Sequence, residues 1–269
     1  MKSLEMKPEE ILFTKFDGTP DLFYEVVWDE LDCPENYKNR IPSLIDLMAH
    51  GEPYHRLLAC IMLTSWGNTA GFQTLIEWAT YPDKTPWQGE AVLHDPITDA
   101  DSAFEKLAEA IGTSYNGLES QEISSLRESA VKALLKLFST VFFDSTLSFA
   151  ICRGKYELLP NIIEDIYAAI DKSFEVFDRQ DKPKINLQMQ VASLLGTLEG
   201  FDEPTIVNYA KKLVKNFPDD RQTLFELVLV LGGCKNTEAL ALLEDLYQKN
   251  TGLEEHILKA IARFKNKEV

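Results

Sequence analysis

The last third of the chain repeats itself every 33 residues on two successive helices. Val191, Leu224 and Ile257 stand 33 apart, as do Leu194, Leu227 and Ala260, then Leu195, Val228 and Ile261, then Leu198, Leu231 and Phe264. The helix that follows keeps the register, with Val207 matching Leu240, Ala210 matching Leu243, Leu213 matching Leu246, and Val214 matching Tyr247. A fixed period with apolar residues in matching places marks stacked helical hairpins, each too thin to bury its own apolar face. Upstream, apolar residues recur at helical spacing in segments bounded by Gly, Pro and Asn. The segments are 21–31, 42–49, 54–65, 69–79, 99–111, 122–143 and 158–177. Residues 1–20 and 81–98 read as irregular, the second broken by Pro82, Pro86, Gly89 and Pro96. No segment alternates as a strand would, so the expected class is all-α.

On three segments the chain resembles HEAT-type repeats. They are Arg56-Leu57-Leu58-Ala59 running to Leu63 and Gly67-Asn68, Arg127-Glu128-Ser129-Ala130 running to Leu134, and Gln190-Val191-Ala192-Ser193-Leu194-Leu195-Gly196. Each sets a basic residue, or Gln190 in its place, a few positions before a small residue on a first helix. The resemblance implies a right-handed α-solenoid of antiparallel helix pairs. On that basis residues 1–53 form an N-terminal helical cap and 54–269 one continuous array, with 81–98 an irregular insertion. Such folds host scaffolds, inhibitors and a few enzymes, so the resemblance says little about activity.

Motifs of chemistry are missing. There is no P-loop, no GxGxxG and no GxSxG. His50 and His55 are five apart with Gly51-Glu52-Pro53 between them, unlike the i, i+4 pair of a helical zinc site. The stretch from Asp95 to Asp101 fails as an EF-hand, with Ala100 where glycine is required and Lys106 where the bidentate glutamate belongs. Cys33, Cys60, Cys152 and Cys234 are scattered, so neither a disulfide framework nor a zinc site is expected. No cofactor or metal is expected. With neither a signal-like N-terminus nor a stretch of about 20 apolar residues, the expected location is the cytoplasm.

Charge carries more. The formal net charge is −16, and residues 1–100 hold 7 Lys/Arg against 17 Asp/Glu. Such a pole repels nucleic acid and anionic membranes and attracts cationic partners. All four tryptophans, Trp28, Trp66, Trp78 and Trp87, lie in the same region. Trp28 and Trp78 are assigned to the core. Trp66, at a hairpin turn, and Trp87, in the proline-rich loop, are the expected exposed anchors.

The expected partner surface is therefore Asp29, Glu30, Trp66, Asn68, Tyr81, Trp87, Glu90, Asp95, Asp99 and Asp101. The function expected is that of a non-catalytic module for a basic protein, in its sharpest form an immunity protein or inhibitor covering a basic toxin. The alternatives are a HEAT-like enzyme, of the DNA glycosylase or bilin lyase kind, and a scaffold for two partners. The glycosylase reading needs a basic groove among the aromatics, where this chain is acidic. Oligomeric state is not legible.

Overall fold

The structure is a computed structural model that describes residues 7–32, 38–89, 92–95, 100–117, 120–177, 179, 185–249 and 252–266. Its described residues are helical, with no β-strand beyond isolated bridges joining Thr14 to Pro20 and His94 to Asp101. The chain divides into two compact units, Met1–Phe142 and Phe143–Val269.

The first unit holds α1 (Pro8–Leu12), α2 (Phe23–Asp32), α3 (Ile41–His50), α4 (Pro53–Ser65), α5 (Thr69–Thr80), α6 (Ala103–Thr113) and α7 (Gln121–Leu137). Helix α4 is the core: every residue from Leu57 to Ser65 is buried, and α3, α5 and α6 pack around it. A helix apolar on all sides needs neighbours on all sides. Between α4 and α5 the chain turns through Gly67, whose φ of +69° favours glycine. Asn68 then caps α5, its side-chain oxygen accepting from the Ala70 N–H at 2.9 Å. The α4–α5 crossing is tight, since a Cβ on Gly71 would stand 2.6 Å from the Thr64 nitrogen.

The second unit holds α8 (Thr146–Arg153), α9 (Lys155–Phe177), α10 (Leu187–Leu195), α11 (Glu203–Asn216), α12 (Arg221–Gly233), α13 (Thr237–Gln248) and α14 (Glu254–Asn266). Helix α12 packs on both α10 and α14, while α11 packs on α13. The 33-residue period maps onto the buried faces. Val191, Leu224 and Ile257 are buried, and so are Leu198, Leu231 and Phe264. In the second helices Val207, Ala210, Leu213, Leu243 and Leu246 are buried, whereas Leu240 is half-buried and Tyr247 exposed. Each buried Val, Leu, Ile or Phe side chain among them contributes about 1.5–3 kcal/mol of transfer free energy. Asn186, Asp202, Asp220 and Asn236 cap α10, α11, α12 and α13 in turn, each cap stabilising by about 1 kcal/mol.

Three polar residues, Arg56, Arg127 and Gln190, do related work. Arg56 Nε donates to the Met48 carbonyl at 2.9 Å. Arg127, fully buried, donates from Nη2 to the Ser114 carbonyl at 2.7 Å and from Nε to its hydroxyl at 2.8 Å. Gln190 Oε1 accepts from the Phe143 N–H at 2.7 Å. Each ties its helix to backbone that the regular helical bonds leave over.

Several expected boundaries move. The 122–143 helix ends at Leu137, because the Leu137 carbonyl is taken by the Thr140 N–H and hydroxyl. Phe138, Phe142 and Phe143 stay buried in the turn that follows, and α8 comes after it. Helix α6 begins at Ala103 and not at 99. The backbone groups of Ala100 and Ser102 are engaged by Asp95 and Leu93, so the helix has no earlier start. Residues 8–12, expected to be irregular, form α1, and Arg40 Nη1 donates to the Ile11 carbonyl within it and to the Thr14 carbonyl just beyond it.

Candidate functional site

Helix α2 presents two different faces. Phe23, Val26 and Val27 are buried, and Phe23 meets Phe13 edge-on at 6.2 Å. Trp66 holds the helix from behind, its Nε1–H donating to the Val27 carbonyl at 3.1 Å. At about 100° per residue Trp28 falls about 140° from Phe23, and Tyr24 lies one turn before it. Trp28 is accordingly 47% exposed and Tyr24 38%. Glu25 and Asp29, again one turn apart, form an acidic row beside this aromatic one, and Asp21 lies just ahead of the helix.

The electrostatics of this face are those of an acidic rim. Lys15 pairs with Asp21 at 2.7 Å. That hydrogen bond, with the charges of Asp21, Asp29 and Glu25, holds the Lys15 ammonium above its ordinary pKa. The Tyr24 hydroxyl donates to Glu109 Oε2 at 3.5 Å, and Lys106 stands 6.0 Å from its ring centroid. Partial burial, then the charges of Glu109 and Glu105, drive that hydroxyl far above the usual tyrosine range. Tyr24 therefore stays neutral and acts as a ring and a donor. An exposed tryptophan and tyrosine rimmed by carboxylates suit a lysine or arginine side chain, whose stem packs on the rings and whose charge meets the acids.

The residues expected from sequence are not gathered in one place. Asp29 lies on α2, half-buried. Trp66 is half-buried and braces α2 from inside, and Asn68 is spent on the cap of α5. Trp87, expected to be an exposed anchor, is only 3% exposed and meets Trp78 edge-on at 4.9 Å and Phe104 at 5.9 Å. The proline-rich loop folds back and buries it, which is why its loop position misled. Trp28, assigned to the core, is exposed instead. Tyr81 is 51% exposed at the end of α5, with Lys84 Nζ 4.7 Å from its ring centroid. Asp101 pairs with His94 in the bridge before α6 and its Oδ1 accepts from the Ala103 N–H at 2.9 Å, while the Asp95 N–H donates to the Ala100 carbonyl. Glu90, Asp99 and the Glu30 side chain lie outside the described residues. Tyr24 was missed. Helical phase was its signal: Phe23, Val26 and Val27 already complete a buried stripe, leaving Tyr24 and Trp28 outside it.

Tyr81 and Lys84 line a cleft of about 550 Å³ with Ile45 and Met48 of α3, Glu77 and Trp78 of α5, and Arg56. Two cations and one acid make it locally basic within an acidic unit. In the second unit Tyr156, 83% exposed, and Phe201 flank a cleft with Lys155 and Lys235. Cys60 is buried, and burial raises its thiol pKa to about 12, so it stays protonated and poorly nucleophilic. Among the described residues no group of three or more His, Cys, Asp or Glu is placed to hold a metal ion. Among them also, no helix is long and apolar enough to cross a membrane. Comparison with models of known protein families, with curated proteins and with solved structures finds no match for this chain.

Proposed function

We propose that this chain is a HEAT-like, right-handed α-solenoid of antiparallel pairs that binds a basic protein without catalysing a reaction, an inhibitor of the immunity-protein kind. The observation that carries the reading is the outer face of α2, where Trp28 and Tyr24 are exposed beside Glu25 and Asp29. The unit around that face is strongly acidic: residues 1–142 hold 11 Lys/Arg against 23 Asp/Glu. Opposite fields raise the rate of capture, and exposed aromatics supply the short-range energy once partners meet. The solenoid reading is supported by the packing of α10, α12 and α14 in order and by the 33-residue offset of their buried residues. The same acidic field disfavours nucleic acid and anionic lipid as partners. Free thiols at Cys60, Cys152 and Cys234 accord with a reducing, cytoplasmic location.

The test is a pull-down from the native host at about 0.05 M and about 0.5 M salt, since screening shortens the reach of charges. It compares the wild-type chain with a variant carrying Trp28→Ala, Glu25→Lys and Asp29→Lys. One basic protein, captured by the wild type at low salt and lost from the variant, is the expected result. Equal capture by both would remove α2 as the binding face, and co-purifying nucleic acid would replace the reading with an enzymatic one.

A further inference from the structure

The second unit contains a cleft of about 520 Å³ that the binding reading above does not use. Its volume falls in the range of small-ligand sites. Met189 of α10, Phe225 of α12 and Leu253, just before α14, supply apolar wall. Its charged residues are Asp144, Glu226 and Arg221, and His256 adds an imidazole ring.

Helix α12 sorts those charges into two sides. Arg221 and Phe225 are one turn apart and face α14: Arg221 Nη2 donates to Gly252 O at 3.3 Å, and Phe225 meets the His256 ring edge-on at 5.1 Å. Gln222 and Glu226 form the neighbouring row. Gln222 accepts from Asn186 at the start of α10, and Glu226 lies within reach of the Asp144 charge. Desolvation, and then that charge, hold the Glu226 carboxyl above its ordinary pKa. Asp144 occupies the left-handed region, with φ of 49°, where a non-glycine residue is uncommon. Both carboxylates thus line one cleft together with its apolar wall. A cation between them relieves both the repulsion and the desolvation.

We propose that this cleft binds an alkylammonium or alkylguanidinium group, its charge between Asp144 and Glu226 and its stem against Met189, Phe225 and Leu253. That chemistry has two sources, a free organic amine or a Lys/Arg side chain presented by a protein. Ser145 and Gln222 beside the carboxylates add neutral polar groups that tolerate either headgroup.

The test follows the methionine methyl groups by NMR in the full-length chain labelled with ¹³C-methyl methionine. Met189 lines the cleft, while Met48 and Met62 in the first unit serve as internal controls. The probes are 1,4-diaminobutane and N-acetyl-arginine amide, with butyrate as the anionic control. Saturable movement of Met189 alone, with a dissociation constant of order 1 mM, is expected for a cation. Tighter binding of the diamine identifies a free amine as the source, and tighter binding of the capped arginine a side chain. Asp144→Asn, which removes the charge in a residue type that tolerates this backbone, should weaken binding about tenfold. Arg221→Gln should tighten it severalfold, a gain that general damage to the fold does not produce. If Met189 stays still at about 50 mM of both cations, if butyrate moves it more, or if Arg221→Gln weakens binding, the proposal is overturned. Because the probes act on the second unit, those outcomes leave the test of α2 unaffected.

Discussion

Replacing Arg127 with alanine should cost the first unit about 3–5 kcal/mol, the range for removing one partner from a buried charged network. The figure can be built from the contacts. Arg127 donates two hydrogen bonds to Ser114, at 2.8 and 2.7 Å, and its guanidinium stands 4.1 Å from the Tyr115 ring centroid. A hydrogen bond from a charged donor contributes about 1.5–3 kcal/mol. Truncation leaves the Ser114 carbonyl without these donors and opens a cavity where the stem lay. Arg127→Met keeps most of the stem volume and places no bare charge inside, so its cost should fall to about 1–3 kcal/mol. The assay is urea unfolding followed by tryptophan fluorescence. All four tryptophans lie at or before residue 87, so the signal reports the first unit alone. With a slope of about 2 kcal/mol/M, a loss of about 4 kcal/mol lowers the midpoint by about 2 M. A fall of less than about 0.5 M for Arg127→Ala, or a larger fall for Arg127→Met than for Arg127→Ala, would refute the account of Arg127 as the tie between α6 and α7.

Three further outcomes are expected. Trp87→Ala should destabilise the first unit by about 3–5 kcal/mol and Trp28→Ala by no more than about 0.5 kcal/mol. Equal melting shifts by circular dichroism would contradict their opposite burial. Gly71→Ala should cost about 1–3 kcal/mol, because its Cβ would meet the Thr64 nitrogen at 2.6 Å and the Leu63 carbonyl carbon at 2.8 Å; an unchanged denaturation midpoint would show that α4 and α5 separate freely. Glu226 holds its proton in the folded chain at pH values where the unfolded chain has lost it. Its contribution to stability therefore falls as pH rises from the ordinary carboxylate range through the raised folded value. Glu226→Gln should flatten thermal stability against pH above the ordinary carboxylate range, as seen by circular dichroism, and a wild-type slope in the variant would remove Glu226 as its source.

Helix existence was legible because the burial of one stripe repeats every 3.6 residues, and the 33-residue period was legible because equivalent helices bury equivalent residues. Val191, Leu224 and Ile257 illustrate both. The cap at Asn68 was local too, a side chain serving backbone two residues away. Other features depended on partners distant in sequence. The turn beyond Leu137 leads to Phe143, whose N–H reaches Gln190, 47 residues away, and no local pattern encodes that bond. Trp28 and Trp87 exchanged roles for the same reason. Composition makes every tryptophan a core candidate, but burial of Trp87 required Trp78 and Phe104 to meet it.

The sequence by itself determined an all-helical chain, the places where most helices turn, and an acidic N-terminal half, because these follow from local spacing and summed charge. Tertiary structure alone decided which aromatics reach solvent, where Arg127 spends its charge and which carboxylates share a cleft. Those outcomes depend on through-space neighbours, and hydrogen bonds and desolvation act only over a few ångströms that sequence distance does not measure.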